Sequence, residues 1–524
     1  GAVVGGSGDG SGAIAAETGD VVVRGNVLGG GGLGSGSIGS SSGLGSVTIG
    51  GSVIGNADGS GRIFADERLG PVTIGGDLVG RGADGGSISA AAIESIHIGG
   101  DFVGGSSESE SAQGRIFVTG SISPEVIPAD VGRIFVGGSI LGGAFESGRI
   151  EVDGRIGELT VRGSVIGNAA SLSGSVDANE IGRIKIYGNL QGGGGNGSGA
   201  ITANNMDQVS IGGDVRGGGG ERSGQISSGQ FSIGEVRIKG SLIGGSAAES
   251  GRIVAGAQIG DIFVGGDVIG SGFADTGKIS ATQKLGFITI GGDLIGGDFA
   301  SLVEREDSGV INSITIDSVT IGGSLIAGSS NPAVPSNGVS GGILAQTLGP
   351  VRVGGNIIGS ETNRALIVGA GQQEKPTSGT DFAIASIKVG GDVSFTDILA
   401  GFSFFNQTPV NADASIGPVT VGGNWRASSL VAGAQDAGAP GFGNGDELQA
   451  VDDTSLIARI AKISIGGFVL GTGTILSDHF GFVAEQIDSM TVAGRKIALT
   501  AGANNDQLIF IGENRDVKLD EVGA

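Results

Sequence analysis

Cysteine is absent from the 524 residues, which removes disulfides, thiolate metal sites and thiol nucleophiles together. Its absence leaves the compartment open, because it is small secreted domains that depend on disulfides. Aromatics are only 4 %, with a single Trp (Trp425) and a single Tyr (Tyr187), too few for an aromatic sugar-stacking platform. Lys and Arg total 30 against 53 Asp and Glu, a formal charge of −23. Binding phosphates needs a basic surface, so a nucleic-acid partner is excluded and divalent cations are better matched. No apolar run reaches the ~18 residues of a membrane span. Proline is scarce at 10 whereas glycine reaches 113, and glycine costs roughly 1 kcal/mol per helical position relative to alanine, which argues against helices.

What is present is a repeat. A cassette reading [Ile/Leu]-Gly-x-[Val/Ile]-x-[Ile/Val]-Gly-Gly-[Asp/Ser/Asn], followed by two aliphatics and Gly, recurs along nearly the whole chain, with first strands starting at Val47, Val72, Ile96, Ile134, Leu159, Ile184, Val209, Val236, Ile262, Ile288, Val319, Val351, Ile387, Val419 and Ile463. From Leu159 to Ile288 the steps are 25, 25, 27, 26 and 26 residues, and later ones stretch to 31, 32, 36, 32 and 44. A repeat that lengthens while its core pattern persists is a solenoid with loops leaving at its corners. The expected fold is all-β, a parallel β-helix with about three short strands per ~25-residue coil, right-handed by the rule for parallel crossovers. Residues 1–392 read as regular coils and 393–524 as irregular continuing coils with an insertion and terminal strands.

Leu69 to Ala90 shows one coil. Val72-Thr73-Ile74 alternates as a half-buried strand does, with Val72 and Ile74 inward. Gly75-Gly76 bends the chain and Asp77 closes the turn. Leu78-Val79-Gly80 is a second strand, and Gly86-Ser87-Ile88-Ser89-Ala90 a third that buries Ile88 and Ala90. The outward slot of the first strand holds Thr73, Thr289, Thr320 and Thr420, but also Phe135, Phe263, Lys185, Lys388, Arg237 and Arg352. That mixture does not make an ice-binding threonine array; it suits contacts between molecules through Phe and through Lys or Arg meeting carboxylates.

The residue after the glycine pair is Asp77, Asp101, Asp214, Asp267, Asp293 or Asp392 in six copies, with Ser or Asn in others. All accept a turn hydrogen bond, so corner capping is the first reading. Where Asp77 stacks on Asp101, or Asp267 on Asp293, like charges would favour a bound cation, and Ca2+ is the candidate. A second metal candidate is the acidic patch Asp446, Glu447, Asp452 and Asp453 in the longest insertion. The loop Gly8-Asp9-Gly10-Ser11-Gly12 approaches the calcium-binding nonapeptide of β-roll proteins, but that period is not sustained. Sugar cleavage needs paired carboxylates or a metal with a base. No such constellation stands out, and His97 and His479 read as unrelated surface residues, so no catalytic residue is assigned.

The ends are where the repeat breaks. Val3-Val4-Gly5 matches the second strand of a cassette, so the chain starts mid-coil, and a start at Gly1 without initiator Met or signal peptide points to a processed chain or a fragment. The tail offers two strand-like pieces, Leu508-Ile509-Phe510-Ile511 and Val517-Lys518-Leu519. Two roles are open to them: a cap on their own chain, or strands added to the next molecule, which would make a head-to-tail homopolymer.

The cassettes, with the closing run Asp478-His479-Phe480-Gly481-Phe482-Val483-Ala484-Glu485-Gln486-Ile487, resemble the large glycine-rich β-strand-repeat exoproteins of environmental bacteria. The resemblance implies secretion to the cell surface and a parallel β-helix, and carries over no catalytic or binding residue. The expected function is a non-enzymatic extracellular structural protein, a self-assembling fibre or surface-layer protomer joined through its β-helix ends at Val3, Val4, Leu508, Ile509, Phe510, Ile511, Val517 and Leu519. The alternative is a cell-surface adhesin or passenger-type solenoid presenting the 427–460 insertion, with a surface polysaccharide as candidate partner. A polysaccharide-active β-helix enzyme ranks third.

Overall fold

A Val-Thr-Ile segment between glycines has one face to bury and neighbours that disfavour a helix. The computed structural model describes residues 1–106, 112–121, 127–298, 307–329, 338–372, 380–438, 441–449, 453, 455–472, 479–512 and 516–523, all in strands, turns and irregular segments with no helix among them. The chain forms two compact units, Gly1–Ile259 and Gly260–Ala524. Each is a β-solenoid of parallel strands stacked in sequence order.

In the first unit, Val21–Val23 pairs with Val47–Ile49, which pairs with Val72–Ile74, which pairs with Ala92–Ile98, each strand meeting its own equivalent one coil later. A second ladder runs from Val3–Val4 through Val27–Leu28 and Val53–Gly55 to Leu78–Gly80. The third runs through Ile38–Ser40, Ile63–Ala65 and Ile88–Ala90. The inward slots are closed to water: Val72, Ile74, Leu78 and Ile88 are each at most 1 % exposed.

One element departs from the expectation of three separate strands. In Arg149–Val161, Val176–Ile186 and Ile201–Ile211 the third strand and the next first strand are continuous. Pairing persists through the corner, with Glu180 opposite Asn205 and Ile181 opposite Met206. Where the corner holds Ser228-Gly229-Gln230 the ladder opens, and the coil divides into Ile226–Ser228 and Ile233–Ile238.

The second unit repeats the three ladders with longer loops, and regular pairing runs past residue 392: Val393–Ser394 pairs with Trp425–Arg426, which pairs with Val469–Leu470. Trp425 fills an inward slot, fully buried, its ring 5.2 Å from Phe482 and its Nε1 donating to the Ser428 carbonyl at 2.9 Å. The third ladder here is apolar on both faces. Ile343, Ile367, Ile398, Leu430 and Phe482 form its inward row, and Leu344, Val368, Leu399, Val431 and Val483 the row beside it. This second row is also buried, in a cluster with Val339, Phe402, Ala434 and Val522 against which Phe404 and Phe442 pack. The insertions that lengthen these coils therefore cover the outside of the sheet, and the strands read as unbroken apolar runs, as strands buried on both faces do.

Candidate functional site

The corner residues come first, because they carry most of the repeated polar chemistry. Each accepts a hydrogen bond from the backbone N–H of its counterpart in the next coil. In the first unit the Asp77 carboxylate receives the Asp101 N–H (2.9 Å) and the Asp101 carboxylate that of Ser139 (2.7 Å). Ser139 Oγ then receives Ser164, Ser164 Oγ receives Asn189, and Asn189 Oδ1 receives Asp214. In the second unit Asp267 receives Asp293, Asp293 receives Ser324, and Asp392 receives Asn424. Asp, Asn and Ser substitute freely because the slot requires only one acceptor oxygen. At Asp214, burial pulls the pKa upward, but the Ser241 N–H and the Arg216 guanidinium outweigh it and hold the carboxyl below its ordinary value. Among the described residues no three His, Asp or Glu side chains gather where a metal ion could be held.

A second polar row was not singled out from the sequence. Ser173, Ser198, Ser223 and Ser250 are fully buried at another corner, where each hydroxyl accepts the N–H of a residue five positions earlier, as Asn168 N–H to Ser173 (2.9 Å) and Gly218 N–H to Ser223 (2.8 Å). Ser173 and Ser250 also donate to the carbonyl three residues back. The signal was the recurrent Ser-Gly dipeptide. The glycine is required: Gly224 has φ +59°, and a Cβ there would meet the Arg216 carbonyl oxygen at 1.9 Å.

The largest departure from repetition lies in the second unit. A lateral pocket of about 420 Å³ opens where Gly441 and Phe442 of the long insertion meet the third ladder, walled by Phe395, Phe442 and Phe480, with Glu361, Thr472 and His479 also lining it. Arg364 and Asp397 also line it. Arg364 Nε meets Asp397 Oδ2 at 2.6 Å, while Nη2 donates to the carbonyls of Thr396 (3.2 Å) and Ala427 (2.9 Å). The guanidinium also lies 5.3 Å from the Phe480 ring, so Arg364 ties successive coils together and holds one carboxylate in place. A mixed pocket of this size, with apolar walls and few polar groups, suits a small ligand or one end of a chain. His479, read from sequence as a surface residue, is part of it; His97 stacks on Phe135 at 4.7 Å, nearly parallel, on the outer face of the first unit.

Among the described residues the acidic patch does not gather into a metal site. Asp453 caps its own turn, accepting the Ser455 N–H (3.1 Å) and hydroxyl (2.6 Å). The Asp446 backbone N–H donates to Asn444 Oδ1 (2.9 Å). Glu447 is buried and takes the N–H groups of Gly443, Asn444 and Gly445. Asp452 lies outside the described residues.

The terminal strands fold onto their own chain. Val517–Glu521 continues the third ladder beside Phe480–Ala484, and Ile509–Phe510 returns antiparallel along it. Val517, Leu519 and Ile511 are buried, while Leu508 and Phe510 are 41 % and 56 % exposed. Glu521 fastens the closure, its carboxylate receiving the N–H groups of Ile487 (2.8 Å), Asn505 (3.0 Å) and Asp506 (3.2 Å). Val3–Val4 pairs with Val27–Leu28, and Val4 is 61 % exposed. No family model, curated protein or solved structure matches this chain.

Proposed function

We propose that the chain is a non-enzymatic structural protein of the cell exterior, a self-assembling scaffold protomer. The observation that carries this reading is the corner ladder: the side chains repeated most often hold one coil to the next, which supports a role in making a stiff, extended surface rather than in acting on a substrate. Placement outside the cell rests on the resemblance of the cassettes. Because Val517 and Leu519 are taken up by their own chain, the contact between copies falls to the outer strand of the closing hairpin, with Leu508 and Phe510 exposed, and to Val4. Electron microscopy and light scattering of the purified chain test it. End-joined particles that disappear in Leu508→Asp/Phe510→Asp support the reading; a chain that stays monomeric at every concentration overturns assembly.

A second reading, a solenoid that presents a lateral ligand site, is favoured by the pocket between Phe395, Phe442 and Phe480. It requires that a ligand protect the 441–449 segment from hydrogen exchange.

A further inference from the structure

On a chain of net charge −23, a cluster of cations with no carboxylate beside it among the described residues stands out. Several described cations in the first unit are ion-paired: Arg133 with Glu158 (3.5 Å), Arg155 with Glu180 (3.2 Å), Arg216 with Asp214 (2.7 Å) and Arg222 with Glu249 (2.9 Å). Arg162, Lys185 and Lys239 are not: all three are exposed, and among the described residues no carboxylate lies within 4.0 Å of any of them.

The register gathers them. Thr160, Lys185, Ser210 and Arg237 are aligned partners in successive coils. Beside them runs the row Arg162, Tyr187, Gly212 and Lys239, each N–H bonding to the carbonyl of the preceding coil at Val136, Val161, Ile186 and Ile211. Tyr187, the only tyrosine, stands between the cations, 42 % exposed, with the Arg162 guanidinium 4.7 Å and the Lys185 ammonium 4.5 Å from its ring. Its hydroxyl is held below the ordinary phenol pKa, first by a hydrogen bond with Lys185 and then by the charges of Lys185, Arg162 and Lys239. Parallel strands lie ~4.8 Å apart, so Arg162 and Lys185 stand on adjacent strands and Lys239 two strands beyond Lys185 along the solenoid axis. One row further out, Glu158, Arg183, Gln208 and Glu235 are in register, and Arg183 donates to Gln208 (3.0 Å), which donates to Glu235 (2.9 Å). Arg183 there is held by a neutral amide and Glu235 meets Arg237 at 3.6 Å, which leaves Arg162, Lys185 and Lys239 as the cations of the strip without a carboxylate among the described residues.

Like charges held together on a rigid sheet repel one another, and contact with the Tyr187 ring neutralises none of that charge. The arrangement favours a ligand that brings several negative charges in a line and a ring to lie against Tyr187 and its cations. We propose that this strip binds an acidic polysaccharide, a chain of carboxylate-bearing sugars lying along the solenoid axis across Arg162, Lys185, Tyr187 and Lys239. The proposal deepens the scaffold reading by naming what the scaffold holds.

The test is titration of the full chain with polygalacturonate, with dextran as the neutral polymer and a (dT)20 oligonucleotide as a polyanion of another class. Light scattering in parallel reads assembly separately, so loss of glycan binding and loss of self-association are distinguishable. We expect polygalacturonate binding that weakens with salt and no dextran binding. Arg162→Ala/Lys185→Ala/Lys239→Ala should weaken it at least tenfold, whereas Arg133→Ala/Arg155→Ala/Arg222→Ala, equal in charge removed but drawn from paired cations, should change it less than twofold. Equal losses in the two variants would overturn the proposal, as would (dT)20 binding as tightly as polygalacturonate. So would a strip variant that loses self-association while neither protein binds the glycan, which would assign the strip to a second copy.

Discussion

Asp520 occupies the end of an apolar row, and changing it to Asn should stabilise the second unit at neutral pH. Its register partner is Val483, itself in line with Val431 and Leu399, and it is 3 % exposed. Burial pushes its carboxyl up to about 6, the neighbouring Glu447 adding to the rise, against the opposing N–H of Leu508. In the unfolded chain the group titrates near its ordinary 3.8. Between these values the folded state holds a proton that the unfolded state has released, so stability is fully present below about pH 4, falls as pH rises, and is lost above about pH 6. At 1.36 kcal/mol per pKa unit the loss is at most ~3 kcal/mol, and solvent reaching the pair reduces it to roughly 1–3 kcal/mol. Asn cannot ionise, yet keeps an oxygen for the Leu508 N–H (3.1 Å) and offers an amide donor to Glu447. Denaturant unfolding followed by Trp425 fluorescence should therefore show Asp520→Asn no more stable than the parent at pH 4 and ~1–3 kcal/mol more stable at pH 7.5. Asp177 and Asp381, also raised by burial, act alike in both proteins and cancel. A difference that is the same at pH 4 and pH 7.5, or a variant less stable at pH 7.5, refutes the reasoning.

The corner ladder predicts that Asp101→Ala costs about 1 kcal/mol by orphaning the Ser139 N–H, that Asp101→Asn costs almost nothing, and that EDTA leaves the unfolding midpoint of the parent unchanged; a midpoint that falls on chelation, and is restored by Ca2+ alone, would return the stacked aspartates to metal binding. The buried serine row predicts that Ser173→Ala costs about 1 kcal/mol, because the Asn168 N–H and the Ala170 carbonyl both lose the fully buried Ser173 hydroxyl as a partner. Thermal unfolding within a few tenths of a kcal/mol of the parent would remove that row from the account of stability.

Much of the fold was legible because each coil packs against a near copy of itself. Reading Val72 and Ile74 as inward, Thr73 as outward and Gly75-Gly76 as the bend required only period-2 alternation and the placement of glycine, and each strand of the first unit pairs with its equivalent at the spacing of the repeat. The paired apolar positions Ile343-Leu344, Ile367-Val368 and Ile398-Leu399 carried a further message, that the second unit is covered on the outside of its third ladder, which alternation alone does not reveal. The terminal strands were recognised as strands, but sequence left open whose edge they would join. Pairing of Val517–Glu521 with Phe480–Ala484 answers that for one chain.

The sequence by itself determined the coil: where chain direction changes, which side chains face inward, and that identical spacing makes the stacking parallel. These follow from local sterics and a repeat that meets itself one period later. Only the tertiary structure decided the rest. It set Arg364 across successive coils beneath Phe480, sealed Asp520 against Glu447, and gathered Arg162, Lys185 and Lys239 about Tyr187. The physical reason is that these depend on which non-repeating segments meet, and on charge summed over neighbouring coils, neither of which is a property of any one cassette.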